Sequence, residues 1–526
     1  MPSPARLLPT GLALALVLGA RLASALQALP TPEATAAAAV PAPVPDEAWR
    51  GTPVGRIVAV GNHRTRSEIV IQEVLLRSGD LYDPELARES ERNLRALPFL
   101  GSARLRARPD ATGESVDIVV AVTERFPWVG GVLPSFGGGE IEVDVAAGTG
   151  NLLGRGQLAG FRANVSSRVA DSYSIVFSEP RIGGSRWGVT ANLGVQGDVG
   201  LRNRLQLQRR LYSLSTEWAF EAQLFDEAEQ RLLYSGGETV ADYRRRRTGA
   251  SLALLRAFRR DDRRLELRLG VTHADDEHER SPDAGGVLPR DKRRTSAIAE
   301  LRAERFRFVE ERDFQRMGPV EDVRLGLWAG VRAGAALEVL GSDRSYPILG
   351  LDVGWYAGGP ERGYFRFDAA ADGRLEGGAA TNLIARSSVR TYLRTPGQGL
   401  FAAWAQLAFL DRLEDPAQLL LDAQNGARGY RAHAEDGSRR VVASVEWRRR
   451  LGRVGPVATG AVIFVDGGAI WSEQRRLSES RFLLGLGAGL RLGLATVIGA
   501  PVLRLDVGYG VRDGTWEVSG GLGQRF

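Results

Sequence analysis

The chain has 526 residues, 44% of them hydrophobic and 25% charged, with 69 basic against 63 acidic side chains and no cysteine. That length holds one large domain and at least one small one. The missing thiol excludes disulfides, thiolate metal sites, cysteine catalysis and a lipid-anchored N-terminal cysteine. The basic residues are almost all arginine, Lys292 being the one lysine. They are spread along the chain rather than gathered into a stripe, which indicates a compositional bias and no nucleic-acid partner. No apolar run beyond the N-terminus is long enough for a spanning helix, so a membrane crossing would have to be made by strands.

Residues 1–25 read as a signal peptide: Arg6 supplies a positive end, Leu12 to Gly19 an apolar core and Ala23-Ser24-Ala25 a small-x-small cleavage site, with Arg21 departing from the pattern. Residues 26–53 are rich in Ala and Pro and read as a linker without chemistry of its own. Residues 54–124 form a compact unit. Ile57, Val58 and Val60 predict a strand; Ile69, Val70, Val74 and Leu75 fall at helical spacing; Asp83 with Pro84 starts a second helix. Two further strands, Ala103 to Arg108 and Val116 to Val122, flank the turn Asp110-Ala111-Thr112-Gly113. A sheet covered by helices on one side leaves a strand edge open. That edge either pairs with an incoming unfolded chain through its backbone or belongs to a plain spacer.

From residue 126 to 526 alternating segments are separated by Gly, Asp and Asn turns. The first predicted strand is Trp128 to Phe136, ahead of Gly137-Gly138-Gly139; Tyr173 opens another that turns at Glu179-Pro180; Leu265 to Val271, Phe365 to Ala369 and Leu400 to Leu407 keep the period. The hydrophilic stretches Asp275 to Pro289 and Asp411 to Ser438 read as external loops. The glycines between Gly148 and Gly160 lack the Gly-Lys-Ser/Thr ending of a phosphate loop. In Phe464-Val465-Asp466-Gly467-Gly468, alternation puts Phe464, Asp466 and Gly468 on one face and Ile463 and Val465 on the other. If the second face meets lipid, Asp466 looks into a lumen, and the strand Val441 to Arg450 places Glu446 there by the same rule. Arg428, in the polar loop Gly426-Ala427-Arg428-Gly429-Tyr430, is a candidate bidentate partner for Asp466, with Glu446 as a second candidate beside it. Four histidines are too scattered for a metal centre, and His273 and His278 beside Asp275, Asp276 and Glu277 read as a solvated acidic loop. No Gly-x-Ser-x-Gly or His-Glu-x-x-His motif is present, so no enzyme is expected.

The loop tripeptide Arg428, Gly429, Tyr430, the later strand with Phe464, Asp466 and Gly468, and the terminal Phe526 together resemble the BamA/TamA superfamily of outer-membrane assembly factors, which also holds the two-partner secretion transporters. Asn151-Leu152-Leu153-Gly154-Arg155-Gly156 is similar to a run of the same barrels, and residues 54–124 have the strand, helix, helix, strand, strand order of a POTRA domain. The resemblance implies an α+β POTRA-like domain in the periplasm followed by an all-β transmembrane antiparallel β-barrel of about 16 strands in the outer membrane of a Gram-negative-type bacterium. It implies insertion of unfolded outer-membrane protein clients, received at the POTRA edge, through a weak lateral seam between the first and last strands. Trp128, Phe136, Leu522 and Phe526 would line that seam, and Gly520, Gly521 and Gly523 would loosen it. Outer-membrane lipid and periplasmic or lipoprotein accessory proteins are the other implied partners; no cofactor is. A dedicated secretion transporter and a structural porin or adhesin are the alternatives. The transporters usually bring two POTRA domains and a plugging helix, neither evident here. Gln524 stands where a second terminal aromatic is common.

Overall fold

A computed structural model describes residues 46–281, 285–497, 499 and 501–526. The signal peptide and the linker as far as residue 45 lie outside them. The rest of the predicted linker belongs to the small domain: Asp46–Trp49 form a 3-10 turn, Trp49 packs on the domain core, and the Tyr82 N–H donates to the Thr52 carbonyl at 2.8 Å.

The small domain runs β1 (Val54–Val60), α1 (Ser67–Ile71), α2 (Pro84–Ala96), β2 (Leu100–Pro109) and β3 (Val116–Glu124). β3 is central, parallel to β1 and antiparallel to β2. The Asp83 carboxylate caps α2 by accepting from the Glu85 N–H at 2.8 Å, and Pro84 occupies the first turn, where its missing N–H costs nothing. α1 stops at Ile71, shorter than the apolar spacing predicts, and Val74 reaches the core from the turn that follows. Val70, Leu94, Leu100, Ile118 and Val120 fill that core. The two sheet edges differ. On β2 the Glu91 carboxylate accepts from the Leu105 N–H at 2.7 Å and Arg95 donates to the Ala103 carbonyl at 3.4 Å, so side chains of α2 occupy that edge. Among the described residues no side chain caps β1 from Ile57 onward, which leaves β1 as the open edge.

From Trp128 onward the described chain forms a closed antiparallel barrel of twenty strands, with the first, Trp128–Gly137, beside the last, Thr515–Leu522. The expectation of about 16 strands is thus corrected, and tight turns are the reason. Trp218–Ser235 is joined to Glu238–Arg260 by Gly236-Gly237, both at positive φ, as a two-residue hairpin turn requires. Asp261-Asp262 join Glu238–Arg260 to Arg263–Arg280 just as briefly. Chain saved in turns supplies the additional strands. Arg263–Arg280 also takes up Asp275, Asp276 and Glu277, expected in an external loop, so this part of the wall stands taller than the sequence suggests. A membrane strand needs roughly 9–11 residues; Glu238–Arg260 has 23 and Thr515–Leu522 has 8.

The wall alternates as a membrane barrel must. Leu265, Leu267, Leu269 and Val271 project outward, whereas the neighbouring Glu266 pairs with Arg264 at 2.6 Å inside. Arg302 with Asp352 and Arg366 with Asp368 continue the charged lining. No helix among the described residues is long and apolar enough to cross a membrane; strands make the crossing.

The small domain is docked on one end of the barrel. Arg95 makes a two-point pair with Asp322 at 2.7 and 2.8 Å, and Arg104 another with Glu310 at 2.8 and 2.9 Å. The Asn151 side chain donates to the Thr65 hydroxyl at 2.8 Å, and the Phe126 N–H to the Thr496 carbonyl at 2.9 Å. Replacing Arg95 and Arg104 together by alanine should loosen this docking by on the order of 2 kcal/mol, less than the ~3–5 kcal/mol of a fully buried pair. Hydrogen exchange should then quicken in residues 310–322 and α2 with the β3 core still protected; unchanged exchange would mean that the backbone contacts suffice.

Candidate functional site

The extracellular loop after Gly399–Asp411 is the longest between barrel strands, and it bends back into the lumen, where Leu421, Ala427 and Tyr430 are buried against Val442, Ile470 and Leu483. Arg428 in this loop is 1% exposed. Its Nε donates to Asp466 Oδ2 at 2.6 Å and its Nη2 to Asp466 Oδ1 at 2.8 Å, a two-point pair, and its backbone N–H adds a third bond to the same carboxylate at 3.1 Å. Nη1 stands 2.8 Å from Glu446 Oε1 and 3.1 Å from Asp506 Oδ2. The guanidinium plane covers the Phe464 ring at 3.4 Å. Ser444 Oγ ties in by donating to Asp466 Oδ1 at 2.6 Å.

Phe464, Asp466 and Glu446 therefore meet Arg428 on the lumenal face, while Ile463 and Val465 are exposed on the outside. Asp506 was not expected, nor were Arg491, which donates to Asp506 at 2.6 Å, and Arg448, which donates to Glu446 at 2.8 Å. The signal was present: Leu503, Leu505 and Val507 alternate with Asp506 as Ile463 and Val465 do with Asp466. Three carboxylates and three guanidiniums thus form one buried set. Glycine makes the approach possible, because a Cβ on Gly485 would stand 2.0 Å from the Arg428 carbonyl oxygen. Gly429 has φ of 101° and lies against the Tyr509 and Gly510 backbone. The Tyr430 hydroxyl donates to the Leu484 carbonyl at 2.9 Å and accepts from the Leu484 N–H at 3.0 Å. Gly468 faces Leu421 from the wall.

At the closing seam, the last strand pairs with its other neighbour from Leu503/Leu522 to Gly510/Thr515, and the first strand with its own from Trp128/Thr149 to Gly137/Glu140. Between first and last strands a single pair is in register, Phe136 with Gly520, supported by the Ser135 hydroxyl donating to the Gly520 carbonyl at 3.2 Å. Trp128, at the far end of its strand, does not reach the last one, and Leu522 faces outward opposite Leu503. Phe526 is not on the seam either, which corrects its expected place there. The strand ends at Leu522, Gly523 at φ 83° turns the chain, and Phe526 stacks on Trp404 inside the barrel with centroids 5.8 Å apart. Arg448 donates to the Phe526 carbonyl at 3.2 Å, and Arg525 to the Ala423 and Gln424 carbonyls at 3.0 and 2.8 Å.

The loop touches both sides of this seam. On the last-strand side the Thr515 hydroxyl donates to the Gly429 carbonyl at 2.8 Å; on the first-strand side the Ala432 N–H donates to the Gly138 carbonyl at 2.9 Å, and His433 stands 3.2 Å from Glu140. At the opposite end of the lumen the turn 313–318 folds inward. Phe314 packs on Tyr364 and Tyr392, Met317 meets Ala458 and Val502, and Arg450 pairs with Asp313. No cluster of metal-ligating side chains occurs among the described residues.

An apolar outer wall, a charged lumen and a docked helix-covered sheet define an outer-membrane β-barrel protein with a POTRA domain on its periplasmic side. The Omp85 superfamily domain profile matches residues 151–302, and the POTRA profile, described as a surface antigen variable number repeat, matches residues 52–125. Residues 151–302 thus match an Omp85 superfamily domain and residues 52–125 a POTRA domain. An outer membrane protein assembly factor BamA from Nitratidesulfovibrio vulgaris is 25% identical over 132 residues, 24% of this chain and 16% of that protein, so the match spans well under two thirds of the relative. Among solved structures, BamA from Haemophilus ducreyi lacking POTRA domains 1–3 aligns with 90% of this chain and 85% of its own at 13% identity and TM-score 0.41. CdiB from Escherichia coli aligns with 90% and 76% at 14% identity and TM-score 0.47.

Arg428→Ala should lower barrel stability by up to about 3–5 kcal/mol, less where lumen water screens the stranded carboxylates. Arg428→Lys, which keeps the charge but loses the planar fork, should fall between. The temperature at which the folded barrel loses its fast gel migration reads this order; equal temperatures for all three proteins would remove the cluster from the account of stability.

Proposed function

We propose that this protein inserts outer-membrane proteins into their membrane, taking an unfolded client at the open β1 edge and templating its strands on the barrel seam. The observation that carries this reading is the single registered pair, Phe136 with Gly520, between the first and last strands. A strand edge with unmet N–H and C=O groups facing a membrane is costly, and a client strand that pairs with it satisfies both chains. Folding of the client supplies the driving force, so no cofactor, nucleotide or enzymatic step enters. The similarity to a protein named as a BamA assembly factor supports the same class.

Secretion through the lumen fits less well. The loop around Arg428, the turn 313–318 and the tail ending at Phe526 all occupy the interior, and a passing chain would have to displace all three. Lateral release at the seam parts the short pairing and the loop bonds that bridge it, Thr515 to Gly429 and Ala432 to Gly138, and leaves the rest of the interior in place. By this reading Arg428, Gly429 and Tyr430, with Glu446, Phe464, Asp466 and Gly468, hold the loop inside and keep the barrel in its closed, competent state.

The test is a cysteine pair, Phe136→Cys with Gly520→Cys, in a chain that has no other cysteine. Oxidation should stop insertion of urea-denatured outer-membrane client proteins into liposomes while the barrel keeps its folded gel migration, and reduction should restore insertion. Full insertion by quantitatively crosslinked protein would overturn lateral opening.

A further inference from the structure

Opposite charges pair across most of the barrel wall, but one outward patch at the POTRA-docked end does the reverse. Arg260 stands directly opposite Arg263, and Arg263 directly opposite Arg305, so three guanidiniums cross the outer face in a row. All three residues are exposed. Arg305 donates to Asp262 at 2.5 Å. Among the described residues Arg260 and Arg263 have no acceptor. Like charges directly opposite on a sheet repel and destabilise it, and at the border of a low-dielectric layer the repulsion is screened less. Such a row is compatible with a stable wall when an anion lies between its members.

One step towards the membrane centre the same face is apolar across these strands, and the next outward position on the first of them, Arg256, is paired with Glu217 at 2.8 Å. Phe258 is opposite Leu265, Leu265 opposite Ala303, and Ala303 opposite Ala329. The two alanines are small beside the projecting Phe258 and Leu327, 52% and 54% exposed, and they floor a groove of about 480 Å³ whose rim carries Arg260, Arg263 and Arg305. The turn Asp261-Asp262 beside the patch lies on the same end of the wall as Glu310 and Asp322, the anchors of the POTRA domain, so this is the periplasmic border.

We propose that this patch is a binding site for an anionic glycerophospholipid of the periplasmic leaflet, with an acyl chain in the alanine-floored groove and the phosphate on Arg260 and Arg263. A guanidinium offers a planar pair of donors that matches phosphate oxygens. The row of three arginines holds more positive charge than Asp261 and Asp262 of the adjoining turn together neutralise, so a headgroup with net negative charge is favoured over a zwitterionic one. The lipid bridges three neighbouring strands and converts their repulsion into a tie.

Native mass spectrometry of the full-length protein, released from micelles with equal amounts of phosphatidylglycerol and phosphatidylcholine, tests this. Wild type should retain phosphatidylglycerol preferentially, and the preference should fall roughly fivefold for each arginine lost, in line with ~1 kcal/mol per basic residue at an anionic surface. Arg260→Gln with Arg263→Gln should remove it, and Ala303→Trp, which fills the groove and spares the arginines, should weaken retention of both lipids. Arg293→Gln with Arg344→Gln, the same loss of charge on other exposed arginines, should leave the preference intact. Inorganic phosphate at millimolar concentration should not compete, since it lacks the chain. Equal retention of the two lipids, a preference surviving in the Arg260 and Arg263 variant, an equal loss in the charge control, or displacement by phosphate alone would each overturn the proposal.

Discussion

Arg428 and the carboxylates around it are what the rest of the lumen depends on. A guanidinium with 1% exposure is tolerable only because Asp466 meets it at two points and Glu446 and Asp506 lie within ion-pair distance. Arg448 and Arg491 then balance the surplus negative charge. The set draws on the loop and on four wall strands, so a change in the loop is felt in the wall. The glycine at 485 matters for the same reason: it lets the loop backbone lie on the wall closely enough for Arg428 to reach its partners.

The seam takes its character from what surrounds it. One registered pair would be a weak joint by itself, and the loop supplements it from inside by bonding Gly429 to Thr515 and Ala432 to Gly138. The tail adds Arg525, which holds the loop backbone at Ala423 and Gln424. Closure of the barrel and seating of the loop are therefore coupled thermodynamically, although the chain segments are far apart in sequence. Opening the seam strains the contacts that bridge it and leaves the Asp466 pair, which lies on one side, intact.

How much of this was legible in the chain depended on whether a local rule governed it. Alternation with period two placed Asp466, Glu446 and Phe464 inside, because a strand that faces lipid on one side leaves no choice for the other. The same rule reaches Asp506 and Arg491 when applied to the next strands. Asp83 with Pro84 announced a helix start through chemistry confined to one turn. The strand number was not legible, since it depends on how little chain the hairpins consume, and two-residue turns such as Gly236-Gly237 look much like the start of a longer loop. The fate of Phe526 was equally hidden: the alternation runs on in the sequence past Leu522, and only the backbone at Gly523 diverts it. That side chains of α2 cap the β2 edge, so that β1 is the open one, follows from tertiary contacts no periodicity encodes.

The direction in which the loop enters constrains the order of assembly. Its partners Asp466 and Asp506 follow it by 38 and 78 residues, and the seam joins groups 385 residues apart. Contacts of such separation come late, after the entropy of closing long loops has been met. A loop that ends up inside a closed cylinder, bonded to both margins of its joint, is most readily admitted while the cylinder is still an open sheet. Capture of the Arg428 loop before the ends meet is the order these separations favour, since a copy that closed first would have to part its joint again to admit the loop.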